Sequence, residues 1–133
     1  MSLPLQGYRV IELAQIYAGP YCGLQLAHFG AEVIKIEPPG AGELLRKRPP
    51  AKHGTNYGFL MLNTGKKSVS LNLKDPRGRD ILFRMLADSD VILENYAPGA
   101  LERCAREGWE VPLNDTAKRG YLRENVLKVF KFD

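Results

Sequence analysis

No stretch of this 133-residue chain approaches the ~18 apolar residues needed to cross a bilayer as a helix. No basic region precedes an apolar run at the N-terminus, so a secretory leader is not expected and the chain reads as cytoplasmic. Cysteine is scarce. Cys22 and Cys104 alone cannot build a disulfide framework or a zinc site, and they read as reduced, partly buried thiols. The two histidines are no better placed. His28 lies inside a predicted helix and His53 in a loop, neither with a cysteine or third histidine nearby, so no metal centre is expected. The common phosphate and nucleophile motifs are also missing. Gly19 stands alone where G-x-G-x-x-G needs three glycines, and neither G-x-x-x-x-G-K-[ST] nor G-x-S-x-G occurs. A standard dinucleotide fingerprint, a P-loop and a nucleophile-elbow hydrolase are thereby set aside.

What remains is ordinary for one globular domain: 44% apolar and 26% charged residues. The net charge of +4 favours an anionic partner. It does not choose between nucleic acid, a membrane surface and a phosphorylated small molecule. Arg46, Lys47, Arg48 and Lys52 fall in one short stretch, and Lys66 and Lys67 in another. A solvated loop accounts for each stretch taken alone.

The pattern along the chain is strand, helix, strand. Tyr8 to Leu13 reads as a short strand whose adjacent Val10 and Ile11 suit burial on both faces. A loop over 14–20 leads into a helix over Tyr21 to Phe29, with Pro20 in its first turn and Gly30 as a left-handed stop. Glu32 to Glu37 is a second strand, which makes a right-handed parallel βαβ unit. Pro38 to Gly58 has four prolines and no periodicity and reads as one long surface loop. Phe59 to Leu62 is expected as a strand, paired across the turn at 63–65 with a strand over Lys67 to Leu73. Asp75-Pro76 opens a helix with the stripe Ile81, Leu82, Met85 and Leu86. Val91 to Leu93 is a further buried strand, followed by a turn at Asn95 to Gly99 and a helix from Ala100 to Arg106. Asp88 and Asp90 read as turn residues.

This order predicts an α/β fold: an open, mostly parallel, doubly wound (Rossmann-like) sheet. Such sheets bind ligands at the carboxyl ends of their strands. Those ends are 14–18, 38–42, 72–74 and 95–99, and the basic loop starts at one of them. Asn95 offers amide pairing and Tyr96 a stacking surface, with Arg103 two helical turns on. Lys66 and Lys67 fit an exposed hairpin tip as well as a phosphate contact.

The runs Leu5-Gln-Gly-Tyr-Arg-Val-Ile-Glu-Leu, Ala18-Gly-Pro-Tyr-Cys-Gly and Phe29-Gly-Ala-Glu-Val-Ile-Lys-Ile-Glu-Pro-Pro-Gly40, followed by the whole of 63–74 and of 90–103, stand in an order that resembles class III CoA-transferases. The family includes formyl-CoA transferase, carnitine CoA-transferase and the methylacyl-CoA racemases. The resemblance implies coenzyme A, free or as an acyl thioester, held across the strand ends without a metal. Carried over by position, the contacts fall on Tyr17 and Ala18, then Leu71, Asn72, Leu73 and Lys74, and then Asn95, Tyr96 and Ala97. Arg103 matches a phosphate contact. Some relatives have Arg where this chain has Pro38, and Arg46 matches a recurrent Arg that replaces part of that charge.

The resemblance divides the chain into a CoA-binding portion, 1–109, and an unmatched tail, 110–133. In the transferases an Asp nucleophile forms an acyl anhydride and then an enzyme–CoA thioester. That Asp belongs to a segment downstream of the match, so no catalytic residue is assigned, and the family's interlocked dimer is beyond a chain of this length. The tail reads as a basic amphipathic helix capped by Asn114 or Asp115, with Leu122, Val126, Val129 and Phe130 on one face. Its wording loosely resembles the closing helix of metal-dependent amidohydrolases. The expectation is therefore the CoA-binding N-terminal part of a CoA-transferase, catalytically incomplete as a lone chain. It would work as a homodimer or with a complementing chain, and without nucleic acid or membrane partners. The alternatives are a free-standing CoA or nucleotide module and a non-catalytic structural fragment.

Overall fold

The computed structural model describes residues 2–97. The expected helix over 100–106, Arg103 and the whole tail lie outside the described residues. The principal sheet has four strands: β1 (Arg9–Glu12), β2 (Glu32–Glu37), β5 (Lys67–Ser70) and β6 (Val91–Leu93). Their order is β5-β2-β1-β6 and every pairing is parallel. The open, parallel α/β sheet is therefore as expected.

Helix α1 (Ala18–His28) joins β1 to β2. It ends as the sequence suggested. Gly30 adopts φ +101, and the Gly30 and Ala31 amides donate to Ala27 and Leu26 carbonyls at 3.0 Å each. These paired bonds form a Schellman cap, which needs a residue tolerant of positive φ. α1 starts three residues earlier than the sequence suggested, and it places Cys22 on the exposed surface rather than partly buried.

Helix α3 (Pro76–Ala87) joins β5 to β6. Asp75 caps it by accepting from the Arg77 amide at 2.9 Å. The two faces of the sheet bury different chemistry. On one face Ile11, Leu13 and Ile36 pack with Leu82, Met85 and Leu86 of α3. On the other, Val10 and Val33 pack with Leu26 and Ala27 of α1. Adjacent Val10 and Ile11 thus serve opposite faces, as period-two side-chain alternation requires.

The segment between β2 and β5 departs from expectation. It is not one irregular loop. It holds a 3-10 turn (Leu44–Lys47), a two-stranded antiparallel ribbon of β3 (Ala51–Lys52) with β4 (Thr55–Asn56), and helix α2 (Tyr57–Asn63). Phe59 to Leu62 is thus helical, not a strand. The buried Asn56 caps α2, its Oδ1 accepting from the Phe59 amide at 2.9 Å, and its amide group donates to the Arg48 and Pro50 carbonyls. Phe59 and Leu62, three apart, then share a buried face with Leu45, while Tyr57, Leu60 and Met61 face out. A four-residue apolar run has no period of its own, and here the cap decides the outcome. β5 consequently pairs with β2 in parallel and stops at Ser70, short of the expected Leu73.

Candidate functional site

The strand order places β6 on the far side of β1 from β2. The connections reverse direction between β1 and β6, and the crevice outside their carboxyl ends is the switch point where open α/β sheets take ligands. The loop after β1 and the residues after β6 border it. Asn95 joins the two, its Oδ1 accepting from the Gln15 amide and its Nδ2 donating to the Gln15 carbonyl, both at 2.8 Å. Tyr17, Ala18, Asn95, Tyr96 and Ala97, all named from sequence, therefore come together. Tyr17 is 55% exposed beside the amino end of α1, which has neither a side-chain cap nor an acidic residue in its first turn. That end carries the positive pole of the helix dipole and amides without intrahelical partners.

Beneath α1 lies a charge cluster that sequence reasoning missed. Glu12 of β1 and Lys35 of β2 are register partners. Lys35 Nζ donates to Glu12 Oε1 and to the Ala14 carbonyl, both at 2.7 Å. Lys66 Nζ lies 2.7 Å from Glu12 Oε2 and donates to the Pro20 carbonyl at 2.7 Å and Asn63 Oδ1 at 3.2 Å. Side-chain exposure is 0% for Glu12 and 1% for each lysine. Lys66 is therefore not an exposed hairpin tip. Burial pushes its amine below the ordinary lysine value, against the raising effect of Glu12. Two lysines share one carboxylate, so the cluster holds an excess positive charge under the start of α1. Gly23 makes room for it, since a Cβ there would sit 2.0 Å from Glu12 Oε2.

A second cluster stands at the end of β2. Glu37 accepts from Arg46 Nε at 2.6 Å and from an Arg46 terminal nitrogen at 2.7 Å. It also accepts from the Ser68 hydroxyl at 2.7 Å and the Glu43 amide at 2.9 Å. Burial pushes the Glu37 carboxyl up, but Arg46, Ser68 and the Glu43 amide outweigh it and hold its pKa at about 2. The Arg46 guanidinium also lies 3.9 Å over the Phe59 ring. Much of Arg46's donor set is thus committed within the protein. Glu43 is itself buried and accepts from the Ile16 amide at 2.7 Å and the Leu45 amide at 3.1 Å.

The 71–74 stretch is at the edge of the sheet. Leu71 and Leu73 pack into the core beside Leu82, which leaves Asn72 and Lys74 outward. Asn72 Oδ1 accepts from the Lys74 amide at 3.1 Å. Asp75 caps α3 at the carboxyl end of β5, whereas Asp88 ends α3 and Asp90 accepts from the Arg9 amide at 2.8 Å, both at the opposite, amino ends of the strands. Clefts of about 370 and 320 Å³ open at the opposite, amino ends of the strands, around Arg9 and Asp88. Among the described residues no group of three His, Cys, Asp or Glu is placed to hold a metal, and no helix is long and apolar enough to cross a membrane. The missed residues, Glu12, Lys35, Glu37 and Glu43, had one available signal. Three of them are charges at strand positions where neighbouring residues alternate with the core.

Residues 5–109 match CoA-transferase family III. Over 99 residues the chain is 46% identical to succinyl-CoA:glutarate CoA-transferase of Mus musculus, covering 74% of this chain and 23% of that protein. Over 104 residues it is 38% identical to formyl-CoA:oxalate CoA-transferase of Afipia carboxidovorans, covering 77% and 24%. The crystal structure of a CAIB/BAIF family protein from Brucella suis superposes with a TM-score of 0.70 at 36% identity, covering 77% of this chain and 28% of that one. The chain thus spans about a quarter of the length of the curated relatives it matches.

Proposed function

This chain belongs to CoA-transferase family III, and we propose that it is the N-terminal, CoA-holding part of such an enzyme, working in the cytoplasm. The single observation that carries this reading is the Asn95–Gln15 pairing, which brings the loops after β1 and β6 together beside the uncapped end of α1. An acyl-CoA thioester lies across that crevice. Tyr17, Ala18, Tyr96 and Ala97 contact it directly, and Asn72, Lys74 and Arg103 extend the contact. Leu71 and Leu73 contribute through their backbone, because their side chains belong to the core. Asn95 and Arg46 act as frame, with only their remaining donors free to reach the ligand. The buried excess charge of Lys35 and Lys66 adds to the attraction for phosphate groups.

Transfer of CoA between an acyl-CoA and a carboxylic acid needs a carboxylate nucleophile. Asp75, Asp88 and Asp90 are engaged elsewhere and Asp80 lies exposed on α3, so this part holds the thioester and a complementing chain that carries the segment downstream of the match supplies the nucleophile. Calorimetry of the full chain with CoA, dephospho-CoA and NAD tests the reading. CoA is expected to bind, more tightly than dephospho-CoA, and NAD is not. Equal binding of CoA and dephospho-CoA would remove the argument that Lys35, Lys66 and Arg103 draw the ligand's phosphate groups, and no CoA binding would sink the reading. Acyl-CoA:acid transfer by the lone chain is expected to be absent, and turnover that survives exhaustive purification would overturn the division of labour.

A further inference from the structure

Ile16 adopts φ +70. A β-branched side chain avoids this left-handed region, where its Cβ crowds the backbone. Something must hold it there, and the structure shows what does. The Ile16 amide donates to Glu43 Oε1 at 2.7 Å, and the Leu45 amide shares that oxygen at 3.1 Å. Glu43 is 2% exposed and its own amide is fixed on Glu37 Oε2 at 2.9 Å. Its second oxygen, Oε2, is buried with no hydrogen-bond partner among the described residues. On the other side of Ile16, Asn95 fixes Gln15 through both backbone groups. Two unfavourable features thus meet at one loop: a strained backbone and a buried, half-satisfied carboxylate. Strain of this kind persists only where its surroundings enforce it, and it marks positions whose geometry matters. The residues that follow Ile16 are Tyr17, the N-cap of α1, and Ala18, its first residue.

We propose that Glu43 is a positioning residue. Its buried carboxylate holds Ile16 in the left-handed conformation and so sets Tyr17 and Ala18 against a bound CoA thioester. Glu43 itself touches no ligand. It acts through the Ile16 amide and couples the loop after β2 to the loop after β1. A charged acceptor suits the task, because hydrogen bonds to a carboxylate are about twice as strong as neutral ones. The inference rests on the CoA reading of the crevice.

The test uses the full chain and two readouts, amide exchange at Ile16 and calorimetry with CoA. The wild-type Ile16 amide is expected to be protected. Glu43→Ala is expected to lose that protection and to weaken CoA binding about tenfold, the scale of one strained residue released. Glu43→Gln keeps a side-chain acceptor and is expected to keep protection and stay within about threefold in affinity. Adding Ile16→Gly to Glu43→Ala is expected to restore affinity, since glycine reaches positive φ without help. A purely structural role for Glu43 would give no such rescue. If Glu43→Ala does not fold, Ile16→Pro deletes the same donor and forces φ negative, and it is expected to fold but lose CoA affinity. Unchanged affinity in Glu43→Ala or Ile16→Pro, or failure of the glycine to restore it in a folded double variant, overturns the inference. A wild-type chain with a protected Ile16 amide and no CoA binding instead sinks the reading of the crevice.

Discussion

At the scale of single residues, the side chains that choose the conformation of the crevice are mostly charges spent inside the protein. Glu37 shows how this reads out in pH. Its carboxyl sits at about 2 in the fold against an ordinary 4.5. The unfolded chain therefore binds a proton before the folded chain does. The stabilisation is complete above about 4.5 and drains away as pH falls toward about 2. Thermal melts between pH 6 and 2 are expected to show this loss, and Glu37→Gln is expected to flatten that part of the profile while lowering stability at neutral pH. An unchanged acid limb would mean that Glu37 is not the responsible group. Arg46 illustrates why sequence reading gave it a different partner. Its place in a basic run suggests a free cation, and nothing in the linear pattern shows that it folds back nine residues onto Glu37.

At the scale of elements, legibility followed the length of the periodic signal. α1 and α3 span three turns or more and carry their own caps, so Gly30, Asp75 and Pro76 identified them. β1, β2 and β6 were visible as short apolar strands. Phe59 to Leu62 was not legible, because Asn56, a residue outside the run, decides its conformation. The early end of β5 has a physical cause too. Beyond Ser70 the chain bends into the turn at Asn72, onto which the first turn of α3 closes: the Asp75 amide donates to the Asn72 carbonyl at 3.1 Å. Gly78 makes that approach possible, since a Cβ there would lie 2.2 Å from the Asn72 carbonyl oxygen. That neighbour is backbone and cannot swing aside. Gly78→Ala is therefore expected to destabilise the chain by about 1–3 kcal/mol despite alanine's better helix propensity. Denaturant unfolding checks the sign, and a stabilised variant would show that α3 can slide away from the turn at no cost.

At the scale of the whole molecule, the parallel, doubly wound sheet and a ligand crevice at its carboxyl ends could be anticipated from the βαβ pattern, but the strand order could not, because Lys67 to Leu73 was expected beside Phe59 to Leu62 and instead pairs with β2. The polar layer beneath α1 could not, because it depends on register: Glu12 faces Lys35 only once β1 and β2 are paired, and Lys66 joins them from beyond α2. That layer ties five elements together. Glu12 comes from β1 and Lys35 from β2, Lys66 immediately precedes β5, and the acceptors Pro20 and Asn63 lie in α1 and α2. Removing the shared carboxylate leaves two buried ammonium groups uncompensated. Glu12→Gln is thus expected to cost about 3–5 kcal/mol, a large part of the ~5–15 kcal/mol of an ordinary domain. Lys66→Met leaves a balanced Glu12–Lys35 pair and is expected to cost less. The two also differ in pH dependence. Burial lowers the Lys66 value in the fold below its ordinary 10.5, so between those two values the unfolded chain holds the extra proton. Stability contributed by this group therefore rises as pH climbs from the folded value toward 10.5, because deprotonation removes the uncompensated charge. Chemical unfolding across pH 7 to 10.5, wild type against Lys66→Met, isolates the effect as the difference between the two profiles. The difference is expected to shift in favour of the wild type with rising pH. A difference that stays constant would mean that Glu12 carries both lysines as charged partners throughout, and that the excess positive charge under α1 is no burden on the fold.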